Sequence, residues 1–116
     1  MTQNTQLPDF AVITKWSQKK CRSQEKVDSS TVVYLKSHGN YVTIFNDDNI
    51  EFTTREKLNT VLELLSFKNL FRVHRRYAVN ANKITSISKN AIVMESIEIP
   101  ISKSYQTDIL IDSFLK

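Results

Sequence analysis

At 116 residues, with 41% hydrophobic and 24% charged, the chain has the make-up of one folded domain with a modest core and no room for two. A net charge of +4 permits an anionic partner without requiring one, and a single cysteine, Cys21, excludes an intramolecular disulfide and suits a reducing cytoplasm. No apolar run reaches the length that spans a bilayer and no apolar signal core opens the chain, so the expectation is a soluble cytoplasmic domain.

Residues 1–9 are polar, with Pro8 near their end, and read as a disordered lead or linker ahead of a domain over 10–116. Phe10 to Trp16 is rich in β-formers and predicts a strand; a polar turn follows, and Cys21 to Val27 predicts its return. Lys15, Lys19, Lys20, Arg22 and Lys26 make this the most basic stretch of the chain. Lys19, Lys20 and Arg22 are candidates for contact with a phosphate backbone, the plain alternative being a solvated hairpin.

Thr31 to Lys36, with four apolar residues in succession, predicts a buried strand. Ser37 to Asn40 predicts the next connection, where Gly39, the sole glycine, marks a backbone position that suits glycine. In that connection His38 is a candidate for a base edge or a phosphate, and Asn40 both donates and accepts. Tyr41 to Phe45 and Ile50 to Thr53 predict two more strands around the turn cluster Asn46 to Asn49. Thr53 and Glu56 have capping-box spacing, and Leu58, Val61, Leu62 and Leu65 form one apolar stripe, so a scaffold helix is predicted over 54–65.

The next stretch holds the sharpest signal. Phe71, Val73, Tyr77 and Val79 flank a compact basic knot of Arg72, His74, Arg75 and Arg76. Alternation on both sides predicts two short strands joined at Arg75-Arg76, which pushes two guanidinium groups past the end of a small sheet. Guanidinium is always charged and presents a rigid donor fork that suits phosphate oxygens and the O6/N7 edge of guanine. A solvated hairpin tip is the plainer reading of the same residues.

Beyond the knot, Asn80 to Lys83 predicts a turn or short 3-10 piece, and strands are expected at Ile84 to Ile87, Ala91 to Glu95 and Ile97 to Ile101. Pro100 argues that the last of these is an edge or a strand end. Ser102 is placed to cap a final helix over 103–115, anchored by Leu110, Ile111, Phe114 and Leu115. Lys103 in its first turn opposes the helix dipole, which is easier to understand if the ammonium faces phosphate or guanine. Ser104 beside it is a neutral phosphate donor.

These residues resemble the LytTR DNA-binding domain. Phe71 to Asn80 looks like its signature, phenylalanine–x–arginine–valine–histidine–arginine–serine–tyrosine–x–valine–asparagine, with Asn82-Lys83-Ile84 following. Val33-Tyr34-Leu35 with Gly39-Asn40-Tyr41-Val42 resembles the family's first motif, and Arg55 with Leu58 and Leu65 resembles its helix. Ile99-Pro100-Ile101-Ser102-Lys103 and Tyr105 resemble its C-terminal proline–valine–serine–arginine–arginine–tyrosine. Arg76 stands where the family has serine, Ser104 where it has a second arginine, and Lys36-Ser37-His38 where an acidic residue is frequent.

The resemblance implies duplex DNA read by loops that enter successive major grooves from one face, with two copies of the chain on paired sites. His38 and Asn40 then belong to the first contact loop, Arg75 and Arg76 to the central hairpin tip, and Lys103 with Ser104 to the third. It also implies a transcriptional regulator, the output piece of a response regulator in a two-component system, with a receiver domain or sensor as partner. Tyr34, Tyr41, Val73, Tyr77 and Val79 are assigned to the core.

The expected fold is mostly β (α+β), with short antiparallel strands in small packed sheets, one mid-chain helix and one C-terminal helix. An enzyme is not expected: there is no Gly-rich phosphate loop, and His38, His74 and Cys21 are the only imidazoles and thiol. No cofactor or metal is expected, since Asp47-Asp48 reads as a turn former, and no strongly amphipathic basic helix suggests a membrane. Two rival classes are an RNA or single-strand binding module, which calls for aromatic rings on an open sheet face, and a protein-interaction domain with an incidental basic patch.

Overall fold

The computed structural model describes residues 10–16, 22–47, 51–65, 69–94 and 97–105. Among the described residues, ten strands form three antiparallel sheets, which with one α-helix enclose two apolar clusters. The centre is a five-stranded sheet of β3 (Val32–His38), β4 (Tyr41–Asn46), β5 (Glu51–Thr54), β6 (Leu70–His74) and β7 (Tyr77–Asn80), in the order β5-β4-β3-β7-β6.

One face of this sheet is covered by the hairpin β1 (Phe10–Trp16) and β2 (Arg22–Asp28), together with helix α1 (Leu58–Leu65). Ala11, Ile13 and Val27 from the hairpin and Leu58, Val61 and Leu65 from the helix meet Val32, Leu35, Val42, Ile44 and Ala78. The other cluster lies with the small sheet of β8 (Ser86–Ile87), β9 (Ala91–Met94) and β10 (Ile97–Pro100), ordered β10-β9-β8. Ile92, Met94 and Ile99 pack there on Val73 and Val79, all fully buried. At roughly 1.5–3 kcal/mol per buried aliphatic side chain, these two clusters supply the main drive to fold.

Two valines sit as extra residues in the ladders. Val33 separates the pairs Val32↔Asn46 and Tyr34↔Phe45, and Val73 separates Arg72↔Ala78 and His74↔Tyr77. The first bulge explains why four apolar residues follow one another in β3: Val32 and Leu35 join one cluster, while Val33 and Tyr34 join the other. The second places Arg72 opposite Ala78, toward the helix-covered face, and His74 opposite Tyr77. Pro100 ends β10, an edge strand, where a missing N–H costs no ladder bond.

Several expectations shift. Thr53 is not a helix N-cap: Thr53 and Thr54 pair with Thr43 and Val42 in β5, Arg55 and Glu56 bend, and the helix starts at Leu58. Two β-branched residues prolong the strand more favourably than they open a helix. His38 is the last residue of β3 rather than part of a loop, because the connection shrinks to Gly39-Asn40 with Gly39 at φ +60°. Of the residues assigned to the core, Val73 and Val79 are buried, while Tyr34, Tyr41 and Tyr77 are half-buried. The helix expected over 103–115 lies almost wholly outside the described residues; within them Lys103 and Ser104 form a turn.

Candidate nucleic-acid interface

Strand register brings three connections to one end of the central sheet. β3 and β7 are antiparallel, with Lys36 opposite Tyr77, so the turn Gly39-Asn40 and the turn Arg75-Arg76 leave the sheet in the same direction. The Ser37 N–H donates to the Arg76 carbonyl (2.8 Å) and ties the two turns together. The Ser102 N–H donates to the carbonyl of the bulged Val73 (2.8 Å), which lays the 102–105 segment beside β6. Lys89, exposed in the β8–β9 turn, is neighbour to this segment, since Ile101 N–H donates to the Asn90 carbonyl (2.9 Å).

The basic knot divides into two roles. Arg72 turns back along its own hairpin: its guanidinium donates to Asn59 Oδ1 on α1 (2.6 Å) and to the carbonyls of Arg75 and His74. It also lies 5.5 Å from the Tyr105 ring centre, which adds the third connection to the same clamp. His74 Nδ1 accepts from the Arg76 N–H (3.1 Å), so a neutral imidazole there carries its proton on Nε2. Arg75 and Arg76 therefore stand on a turn whose backbone groups are already bonded, and both side chains are exposed with no partner among the described residues.

His38 is also exposed, with Nε2 2.9 Å from Thr43 Oγ1 and its ring beside Tyr41 at 6.3 Å between centres. Asn40, Lys103 and Ser104 are exposed. The Ser104 N–H donates to Ser102 Oγ (3.3 Å) and the Tyr105 N–H to the Ser102 carbonyl (3.1 Å), so Ser102 makes the bonds of a cap on this turn. Of the predicted site residues, His38, Asn40, Arg75, Arg76, Lys103 and Ser104 share one end of the molecule. Lys19 and Lys20 lie outside the described residues.

Arg22 closes the β1–β2 hairpin opposite Trp16, its guanidinium 4.5 Å from the indole centre. Arg55 approaches the same ring at 5.8 Å and Tyr41 meets it edge-on at 6.4 Å, so the closing pair of this hairpin is held against the end that carries the turns. A cleft of about 670 Å³ opens there, lined by Ser37, Gly39, Asn40, Arg55, Lys57 and Arg72 among others. Sequence reasoning missed Arg55 and Lys57 as candidate contacts. Their signal was present in the charge of the β5–α1 link, but capping-box spacing assigned that link to a helix. Among the described residues, no group of three or more His, Cys, Asp or Glu could hold a metal ion, and no helix is long and apolar enough to cross a membrane.

The central sheet gathers exposed cationic side chains in the connections at one end, while the described helix packs into the core. Comparison with known proteins gives the chain its family. The model of the LytTr DNA-binding domain matches residues 22–110, and the chain belongs to that family. Among solved structures, the chain resembles the LytTr DNA-binding domain of a putative methyl-accepting/DNA response regulator from Bacillus cereus, with a TM-score of 0.62 and 24% identity over 82% of this chain and 89% of that one. That likeness supports the fold. No curated protein matches. β1 precedes the matched residues, yet it pairs with β2 along its whole length and buries Ala11 and Ile13.

Proposed function

We propose that this DNA-binding domain reads duplex DNA sequence-specifically through three connections at one end of its central sheet, entering successive major grooves as a transcriptional regulator. The observation that carries the reading is the pinned Arg75-Arg76 turn. Its backbone is bonded by Ser37, Arg72 and His74, while both guanidinium groups are left unpaired among the described residues. A fork held in place this way loses little freedom on making paired bonds to a base edge. His38 with Asn40, and Lys103 with Ser104, take the flanking contacts.

Arg22, Lys19, Lys20, Arg55 and Lys57 are suited to phosphates, where position matters less than charge. The working unit spans residues 10–116 and acts in the cytoplasm, with two copies on paired sites and control by a receiver domain or sensor. A single-strand module is disfavoured because Tyr34 and Phe45 stack on each other at 4.3 Å and are half-buried rather than open platforms.

The test is affinity for a preferred duplex, selected from a random pool, against a scrambled one at several salt concentrations. Arg75→Ala is expected to cost about 1–3 kcal/mol on the preferred duplex alone and to relax preference at one position. Lys19→Ala with Lys20→Ala is expected to weaken both duplexes alike and to reduce the salt slope by roughly 0.9 for each phosphate no longer neutralised. Equal weakening of both duplexes by Arg75→Ala would make the tip a phosphate clamp and refute base reading there.

A further inference from the structure

We propose that Thr43 is a positioning residue for His38, and that its hydroxyl holds imidazole Nε2 inward so that Nδ1 is the atom offered to DNA. The inference rests on the reading of His38 as a DNA contact and adds how that contact is aimed. His38 closes the β3–β4 hairpin opposite Tyr41. Thr43 lies two residues into β4, faces Lys36 across one ladder and Thr53 across the other, and is only 6% exposed. Its Oγ1 is 2.9 Å from His38 Nε2 and 3.2 Å from Thr53 Oγ1, so an exposed imidazole, a buried hydroxyl and a hydroxyl on the edge strand form one chain.

Each hydroxyl in that chain has a single proton, which ties its polarity to the group that Nδ1 meets. Phosphate oxygen, purine N7 and guanine O6 are all acceptors. Against any of them a neutral His38 donates from Nδ1, Nε2 accepts the Thr43 proton, and Thr43 oxygen accepts the Thr53 proton. No member of the chain is then left unpaired. Against an amino group the chain reverses, with Nε2 donating to Thr43 and Thr43 to Thr53. Either way the buried Thr43 hydroxyl keeps two partners, and a ring on an exposed strand end is held to one orientation before DNA arrives. An unheld imidazole would lose that freedom on binding.

The test compares Thr43→Val, Thr43→Ser, Thr53→Val and His38→Ala in affinity and base preference, with melting temperature as a check on folding. Thr43→Val keeps the branched shape and removes the hydroxyl. It is expected to weaken the preferred duplex about fivefold, the scale of one orienting hydrogen bond, to flatten preference at the position His38 reads, and to leave the scrambled duplex unchanged. Thr43→Ser is expected to restore both, and Thr53→Val to cost less, because Thr43 still donates to the ring. In the wild-type complex, ring nitrogen spectroscopy is expected to show Nε2 of His38 hydrogen-bonded, accepting when Nδ1 meets an acceptor and donating when it meets an amino group; a free Nε2 would overturn the proposal without any variant having to fold.

Unchanged affinity and preference in Thr43→Val, or failure of Thr43→Ser to restore them, would overturn the positioning role. If His38→Ala abolishes the preference while Thr43→Val does not, only the positioning role falls. If His38→Ala is silent as well, the reading of His38 as a contact falls with it.

Discussion

Arg72 is the best place to separate scaffold from interface. Sequence puts it in one basic knot with Arg75 and Arg76, yet its guanidinium bonds Asn59 on α1 and the carbonyls of Arg75 and His74. Arg72→Met keeps the aliphatic stem and removes all three. Hydrogen bonds to a charged donor contribute about 1.5–3 kcal/mol each when buried; for a half-exposed side chain with one long bond, a total of about 2 kcal/mol is reasonable. For a domain of this size that lowers the melting temperature by roughly 8 °C. DNA affinity falls too, by less than tenfold, because Arg75 loses the preorganisation of its turn and not its charge. Arg72→Lys is expected to rescue little, since an ammonium cannot bond three groups as a planar fork does. Calorimetry beside a binding titration checks this. An unchanged melting temperature with a large loss of affinity would show that Arg72 is a DNA contact, and the division of the knot would be wrong.

Asn80→Ala removes a buried side chain whose Nδ2 donates to the Val32 carbonyl (2.7 Å) and whose Oδ1 accepts the Asn82 N–H (2.9 Å). The expected loss by chemical unfolding is about 2–3 kcal/mol, with the orphaned Val32 carbonyl a large share. Burial first, then Tyr77 and Glu51, holds the Tyr34 phenol above its ordinary value of 10.0. The neutral ring is thus favoured in the fold, and its contribution is present below about pH 10 and lost as the pH rises through the folded value. Tyr34→Phe is expected to make alkaline unfolding less steep; an identical alkaline profile would contradict the burial argument.

Most strands were legible because their pattern is local. Alternation around the basic knot located β6, the Arg75-Arg76 turn and β7, and the stripe Leu58, Val61, Leu65 placed the helix on the core. What local pattern could not carry was competition between signals. Thr53-Thr54 satisfied a capping box and a strand equally well, and pairing with Thr43 and Val42, ten and more residues away, decided for the strand. The split of the knot was hidden for the same reason. Alternation sets Arg72 on the face opposite Phe71 and Val73, but nothing local in the sequence shows that its guanidinium reaches Asn59 on the helix while Arg75 and Arg76 stay outward. The His38–Thr43 bond depends on hairpin register, which a one-residue change in the Gly39-Asn40 turn would shift.

On the proposed reading, one end of the sheet, and not its opposite end, meets duplex DNA. Amide shifts followed by NMR during titration with a selected duplex distinguish the two ends, because each described strand end reports separately. The largest changes are expected at Lys36 to Tyr41, His74 to Tyr77 and Ser102 to Tyr105, with smaller ones at Arg22, Arg55 and Lys57. None is expected at the far end, where Lys83 and Asp47 form an ion pair at 3.0 Å and the Asp47 N–H donates to the Thr31 carbonyl. Changes centred on Lys83, Asp47 and Ser30, with the Arg75-Arg76 turn silent, would contradict that reading.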